Sequence, residues 1–461
     1  MEFAGKKVVV VGMAKSGLAS VELLASRGAR VSAADTKPLE QLPGAAQALE
    51  RLGAPFQIQG PEAFREADWI VVSPGVPGDL DLLEQARRRG AKVIGEVELA
   101  GYFLQGDVIG ITGSNGKTTT TALAGQILRQ AGIPVQVGGN IGTVPATAMA
   151  GSSRRDQWNV LELSSFQLET VERFRAHIGV ALNVTPDHLD RHHTFERYAA
   201  AKARLFETQL AGDFAVLNAE DPVCLEFAAR TRAKPVWFSL TRAVTPGVWL
   251  DADRLLFDGQ PWLRLEEIPL LGRHNVENVM AAAAAAHLAG AELRAIAATV
   301  RNFPGVEHRL EFVRSVGGVD FYNDSKATNV DSTIKAIDAF SGGLWVILGG
   351  KDKGSDYTPL AAPLAAKSRA VMLIGAAAPI IASHLKHSVR CIECGTLEEA
   401  VAKAYREAAP GETVLLAPAC ASFDQFENFE HRGRVFKKLV SELAHSEDRS
   451  QESGVKRWRN G

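Results

Sequence analysis

The chain has 461 residues, 46% of them apolar and 23% charged, with a formal net charge of −2. That length suits about three domains, each with its own core, and that balance is ordinary for a globular protein. Near-neutral charge argues against a nucleic-acid or polyanion partner, and no apolar run reaches the roughly 18 residues of a membrane span.

The opening stretch, MEFAGKKVVVVG, has only four valines between its lysines and a glycine, so it reads as a first strand and not a signal peptide. A cytoplasmic location is therefore expected. Strand Val8 to Val11 runs into GMAKSG and a helix, and a second strand near Arg30 to Ala34 ends at Asp35. Gly12, Ala14 and Gly17 make G-x-A-x-x-G before that acid, close to the dinucleotide fingerprint. Alanine at the middle position weakens a nicotinamide reading and leaves a Rossmann-like nucleotide unit. Strand Trp69 to Val72 then enters SPGVP, a turn at the carboxyl edge where such sheets bind ligands.

A second group of strand-loop-helix units begins with GITGSNGKTTTT. Gly116, Lys117 and Thr118 match the end of a Walker loop, but Ile111 stands where its first glycine should be. A short strand, Val108 to Ile111, precedes it and a helix from Thr118 to Ala131 follows. Gly113 and Gly116 let the amides of this turn face inward, and the helix start adds positive potential, so Lys117 can hold terminal phosphates with Thr118 reaching a magnesium ion. Strands are expected near Asn159 to Leu163 and Ile178 to Val184. Glu162, at the end of the first, can bind magnesium beside the phosphates.

The next loop, NVTPDHLDRHH, holds Asp187, His188, Asp190, His192 and His193. These can alternatively form a transition-metal site, but their spacing is not diagnostic of zinc, and a polar loop with one or two functional members is expected. Lys202, in RYAAAKARLF, reads by itself as a surface lysine on a helix. The six alanines Ala281 to Ala286 indicate a tightly packed helix over Val279 to Ala289.

The third group starts near Val306, with strands at Asp320 to Tyr322, Leu344 to Leu348, Val371 to Ile374 and Val414 to Leu416. YNDSKATNVDST leaves a strand with Asp324, Ser325, Lys326, Thr328 and Asn329 packed before a helix, which marks either a ligand site or a capped helix start. LLAPACASFDQFENFEHRG leaves another strand with Ser422 in its loop. The four cysteines are too scattered for a disulfide framework, and the pair in VRCIEC, at a strand end, lacks partners for a metal site. The expected fold class is α/β, with boundaries giving 1–97, 98–305 and 306–446, and a polar tail at 447–461 expected to be disordered.

TGSNGKT, LELSSFQLE, NVTPDHLDRH, GRHNVENV, EHR, NDSKATN and SPGV occur here in one order, and this set resembles the Mur ligases over all of the chain but its tail. PACASFDQFENFEHRG is similar to the branch that adds D-glutamate. The resemblance implies an N-terminal Rossmann-like domain holding a UDP substrate, a central P-loop ATPase domain with a parallel sheet, and a C-terminal Rossmann-like domain for the amino acid. It implies an ATP-dependent carboxylate-amine ligase acting on UDP-N-acetylmuramoyl-L-alanine and D-glutamate through an acyl phosphate, working as a monomer. It also explains the shortened loop, since that family does without the first Walker glycine.

On the same resemblance, Gly113, Ser114, Asn115, Gly116, Lys117, Thr118 and Thr119 hold the ATP phosphates, Asn275 meets the adenine, and Arg309 and Asp324 meet the phosphates and ribose. Two magnesium ions are implied, held by Thr118, Glu162, His188 and Lys202, the last as a carbamate. Ser16, Asp35, Thr36, Ser73, Gly75 and Asn140 would hold the UDP substrate, and Lys326, Thr328, Lys353, Ser422 and Phe429 the D-glutamate. Two readings of other classes stand beside this one, a nicotinamide dehydrogenase and a nucleotide-dependent switch protein.

Overall fold

The computed structural model describes residues 2–42, 44–142 and 144–458, the side chains of 190 and 444–458 excepted. Among them lie three sheets. The first comprises β1 (Lys7–Val11), β2 (Arg30–Asp35), β3 (Phe56–Ile58), β4 (Trp69–Val72) and β5 (Lys92–Gly95) in the order β3-β2-β1-β4-β5. All its pairings are parallel, and β1 and β4 are almost wholly buried, as strands covered on both faces must be.

The second sheet comprises β6 (Asp107–Thr112), β7 (Val135–Gly139), β8 (Trp158–Glu162), β9 (Ile178–Ala181), β10 (Phe214–Asn218), β11 (Lys234–Ser239), β12 (Gly247–Asp251), β13 (Arg254–Phe257) and β14 (Gln260–Arg264). Its order is β14-β13-β12-β11-β10-β9-β6-β8-β7, parallel except for the meander β12 to β14 at one edge. The strand expected over Ile178 to Val184 stops at Ala181, because Asn183 turns its carbonyl and side chain to the amides of Ser114 and Asn115, at 2.8 and 2.9 Å. Those groups cannot also serve a ladder.

The third sheet comprises β15 (Glu311–Val316), β16 (Val319–Asn323), β17 (Leu344–Gly349), β18 (Ser368–Ile374), β19 (Cys391–Gly395) and β20 (Thr413–Leu416), ordered β15-β16-β20-β17-β18-β19. Only β15 runs antiparallel. The cysteines of VRCIEC lie in β19, Cys391 at its first residue and Cys394 next to its last, and all four cysteines are free thiols.

The chain divides into two compact units, Met1–Ile268 with Val276–Phe303, and Pro269–Asn275 with Pro304–Gly461. The first unit holds the first two sheets, which share one apolar core running from Phe3 to Ala233. Buried carboxylates tie these two sheets together. Glu96 accepts from the amide and hydroxyl of Thr147 at 2.7 and 2.9 Å, and Glu98 accepts from the amides of Glu172, Arg173 and Phe174.

The alanine-rich helix spans Arg273–Leu288, with Ala281 to Ala286 fully buried, since only methyl side chains let neighbouring elements approach so closely. The last helix, Phe429–Trp458, continues where a disordered tail was expected. Residues 459–461 lie outside the described residues. No described helix is long and apolar enough to cross a membrane.

Candidate active site

The turn after β1 is built around one carboxylate. Asp35, at the end of β2, accepts from the amides of Met13 and Lys37 at 2.7 and 3.0 Å, and Ser73 Oγ donates to the Gly12 carbonyl at 2.8 Å. Gly17 is obligatory here, because a Cβ at that position would lie 1.8 Å from the Gly12 carbonyl oxygen. Ala14 is extended, with φ −78°, so its position makes no demand for glycine. Ser16, Asp35, Thr36, Ser73, Gly75 and Asn140, named from the sequence, all line one cavity of about 600 Å³ in the first unit.

Asn140 leads from that cavity to the phosphate loop. Its Nδ2 donates to Glu162 Oε1 at 2.8 Å, while Glu162 Oε2 is buried with no hydrogen-bond partner among the described residues. Glu162 ends β8, which pairs with β6, the strand that delivers the loop. In the loop itself Gly116 has φ +87°, and a Cβ there would meet Asn278 Oδ1 at 2.2 Å. Ser114 Oγ is held by the Thr185 carbonyl and by Tyr198 Oη, each at 2.9 Å.

Two lysines converge on this turn. Lys117 Nζ donates to the carbonyls of Gly113 and Ser114 at 2.8 and 2.9 Å, and Lys202 Nζ donates to the same Gly113 carbonyl at 2.8 Å. Lys202 is thus no surface lysine. It is 1% exposed, lies 4.6 Å from the Tyr198 ring centroid, and has its pKa lowered well below the ordinary ammonium value, by burial first and then by the Lys117 charge. A helix pattern of alanines around one lysine cannot tell which face the loop will cover, and this is why periodicity by itself read it as a surface lysine while the resemblance gave it a ligand's role. Thr118 and Thr119 are buried at the head of the helix Lys117–Gln130.

The loop rich in Asp and His disperses its members. His192 is buried, with Nε2 2.9 Å from Ser165 Oγ and Nδ1 3.3 Å from Glu169, and burial lowers its pKa. His188 instead packs on the Phe166 ring with its Nε2 3.6 Å from Asp187. Between them Arg191 donates to Glu169 at 2.8 Å and to the Val76 carbonyl at 3.0 Å. Nothing in the letters singled out Arg191, Glu169 or Tyr198.

In the second unit, Asp324 and Lys326 follow β16. Asp324 is buried, and desolvation pushes its pKa up to about 6 against the opposing pull of Arg309. Asp324 Oδ1 and Arg309 Nε are both buried without a hydrogen-bond partner among the described residues. Lys326 Nζ lies 5.4 Å from the Phe429 ring, Lys353 Nζ donates to the Thr328 carbonyl at 3.4 Å, and Ser422 is buried after β20. Asn275 is buried and donates to the Leu271 carbonyl at 2.7 Å.

Sequence reasoning passed over Arg432, which lies in the quoted FEHRG run. It is fully buried, donates to Ser325 Oγ at 2.9 Å and to the Ser325 carbonyl at 2.8 Å, and so ties the loop after β16 to the loop after β20. Glu307, His308 and Glu311 bring three ligand atoms within 4.8 Å of one another. Lys437 supplies the cation there, 3.0 Å from Glu307 and 2.6 Å from Glu311, so the group is an ion-pair network.

Three family descriptions match this chain in succession: Mur ligase MurD-like, N-terminal domain, at residues 6–95; Mur ligase middle domain at 111–286; and Mur ligase, glutamate ligase domain, at 308–420. The chain is 64% identical over 443 residues to the UDP-N-acetylmuramoylalanine--D-glutamate ligase of Solibacter usitatus, covering 96% of this chain and 99% of that one. It is 53% identical over 468 residues to the protein of the same name from Acidobacterium capsulatum, covering 100% and 99%. In fold it is similar to a pseudomurein peptide ligase type C from Methanothermus fervidus, with a TM-score of 0.61 at 20% identity over 95% of this chain and 100% of that one.

Proposed function

The chain belongs to the Mur ligase family, and from that premise we propose that it is the ATP-dependent ligase that joins D-glutamate to the alanyl carboxylate of UDP-N-acetylmuramoyl-L-alanine in peptidoglycan precursor synthesis. The observation that carries the reading is the pair of lysine nitrogens on the Gly113 carbonyl, with buried Glu162 acting on the same Lys202. The Lys117 ammonium suits an ATP phosphate chain, and a desolvated second amine beside it suits a ligand-bearing centre.

A carboxylate is a poor electrophile until one oxygen becomes a phosphate leaving group. In the proposed sequence the substrate's alanyl carboxylate attacks the terminal phosphorus of ATP, ADP departs, and the D-glutamate amine adds to the acyl carbon. The tetrahedral intermediate then collapses with loss of phosphate. The loop from Gly113 to Thr119 surrounds the phosphates, and the start of the helix Lys117–Gln130 with the Lys117 ammonium receives their charge. Asp35, Ser16, Thr36, Ser73, Gly75 and Asn140 hold the UDP substrate in their cavity. Lys326 and Lys353 face the two carboxylates of D-glutamate, with Thr328, Ser422 and Phe429 around it, while Asn275, Arg309 and Asp324 serve the nucleotide.

The donor set fits magnesium, because Glu162 Oε2 is an orphaned buried carboxylate oxygen beside the loop. Thr118 and Glu162 would hold one ion, and His188 with Lys202 the other, which would together offset repulsion between the ATP phosphates and the attacking carboxylate. The lowered pKa of Lys202 supports its part. A neutral amine can add to carbon dioxide and shed a proton, and the carbamate is an anionic ligand. A division into domains at 97/98 and 305/306 belongs to this reading, and the presence of three separate sheets supports it. Monomeric action in the cytoplasm, where ATP and UDP-linked precursors are made, completes the reading.

The test is phosphate release with ATP, magnesium and UDP-N-acetylmuramoyl-L-alanine, with each amino acid in turn. Release that requires D-glutamate is expected. Release with L-glutamate, glycine or serine in its place would move the protein to another substrate of the same reaction, and none at all would overturn the ligase reading.

A further inference from the structure

The first unit has a second cavity, of about 340 Å³, lined by Arg87, Arg191, Arg197 and Arg204 against only two acids, Asp79 and Glu169. Its charges do not cancel. Glu169 is taken by Arg191 and His192, and Arg87 is paired with Glu84 and donates to the Gly78 carbonyl at 3.0 Å. Arg204 donates to a neutral group, the Val171 carbonyl, at 3.1 Å, and the Arg197 guanidinium makes no hydrogen bond or ion pair among the described residues. Arg197 and Arg204 lie seven positions apart on the helix Phe195–Glu207, which is about two turns, so they share one face.

We infer that this cavity is a binding site for a small phosphate-bearing anion, distinct from the ATP loop and the UDP cavity. Two guanidinium forks without carboxylates match a dianionic phosphate, which each can grip through paired N–H donors. The volume leaves room for more than the phosphate group, so either free phosphate or a phosphate monoester fits. Occupation reaches the larger cavity through Arg191. That guanidinium lines the second cavity and donates to the Val76 carbonyl, and Val76 lines the first. An anion drawing on Arg191 loosens its hold on the 73–78 loop and so weakens binding of the UDP substrate. Only this coupling rests on the function proposed above.

The experiment is isothermal titration of the full chain with inorganic phosphate, and separately with ribose 5-phosphate, in the absence of ATP and UDP substrate. Wild type is expected to show a binding event that Arg197→Met/Arg204→Met weakens tenfold or more, while Arg197→Lys/Arg204→Lys keeps part of it. Tighter binding of ribose 5-phosphate than of phosphate identifies a monoester as the ligand, and the reverse identifies free phosphate. Identical isotherms for wild type and the methionine pair would overturn the site, and equal binding of succinate would overturn its phosphate chemistry. The KM for the UDP substrate is expected to rise several-fold with the tighter anion in wild type and not in the methionine pair; an unchanged KM in wild type would overturn the coupling. Calorimetry needs no turnover, so it decides the site even if the ligase reading fails. Should the methionine pair melt at a lower temperature, the lysine pair, which keeps the charge, carries the comparison.

Discussion

The turns after β1 and β6 use one device, a parallel strand delivering a glycine-bearing loop to the start of a helix, yet they offer opposite chemistry. After β1 a carboxylate, Asp35, occupies the amide of Met13, and a serine hydroxyl takes the Gly12 carbonyl. That loop is closed on itself, and its own carboxylate lines the cavity together with Lys15. After β6 two lysines share the Gly113 carbonyl. That loop carries the Lys117 cation beside the desolvated Lys202 amine, and on the proposed reading a phosphate meets it there. On the proposed reading, a strand-loop-helix unit sets where a nucleotide binds, while one or two charges brought from elsewhere set which part of it binds.

The largest effect should come from the lysine turn. Lys117→Met is expected to cut D-glutamate-dependent phosphate release by a factor on the order of 10²–10³, since an electrostatic contact at the transferring group is lost. Thermal stability should hold or rise, because Lys202 loses a like-charged neighbour. A fall in melting temperature with rates intact would make the lysine structural and erase the contrast.

At the turn after β1, Asp35→Asn should raise the KM for the UDP substrate roughly tenfold with kcat nearly unchanged, the size expected when charge-assisted bonds to two amides weaken. A loss in kcat alone would mean that the two turns are not divided as described.

Asp324 extends the comparison to the turn after β16. Its folded pKa, about 6, lies above the ordinary carboxyl value of 3.8, so its contribution to stability is intact below about pH 4 and is lost as pH rises through 6. Asp324→Asn should therefore melt with wild type at pH 4 and above it at pH 8, by up to about 3 kcal/mol, and lose ATP-dependent turnover. Equal melting at both values would show that Arg309 neutralises the carboxylate fully.

The smallest effect should be Ala14→Gly. The residue is extended, so glycine only adds freedom to the unfolded chain, and a loss of roughly 0.5–1 kcal/mol with unchanged kinetics is expected.

Much of this was legible in the letters. Runs such as Val8 to Val11 and Trp69 to Val72 are apolar because both faces of a parallel strand are covered, and the glycine turns follow from backbone geometry. The edge meander β12 to β14 was not, for its short strands alternate weakly and carry Gly, Pro and Asp.

The sequence by itself determined the α/β class, the order of the strand-loop-helix units, the family resemblance and the residues at the carboxyl ends of the strands. These depend on local periodicity and on motifs a few residues long. Only the tertiary structure decided that Lys202 is buried against Gly113, that Arg432 joins two loops, that Arg191 reaches Val76, and that one oxygen of Glu162 is left without a partner. Burial and pairing are properties of groups far apart in the chain, and whether a lysine is a solvated cation or a desolvated amine depends on what the fold packs over it.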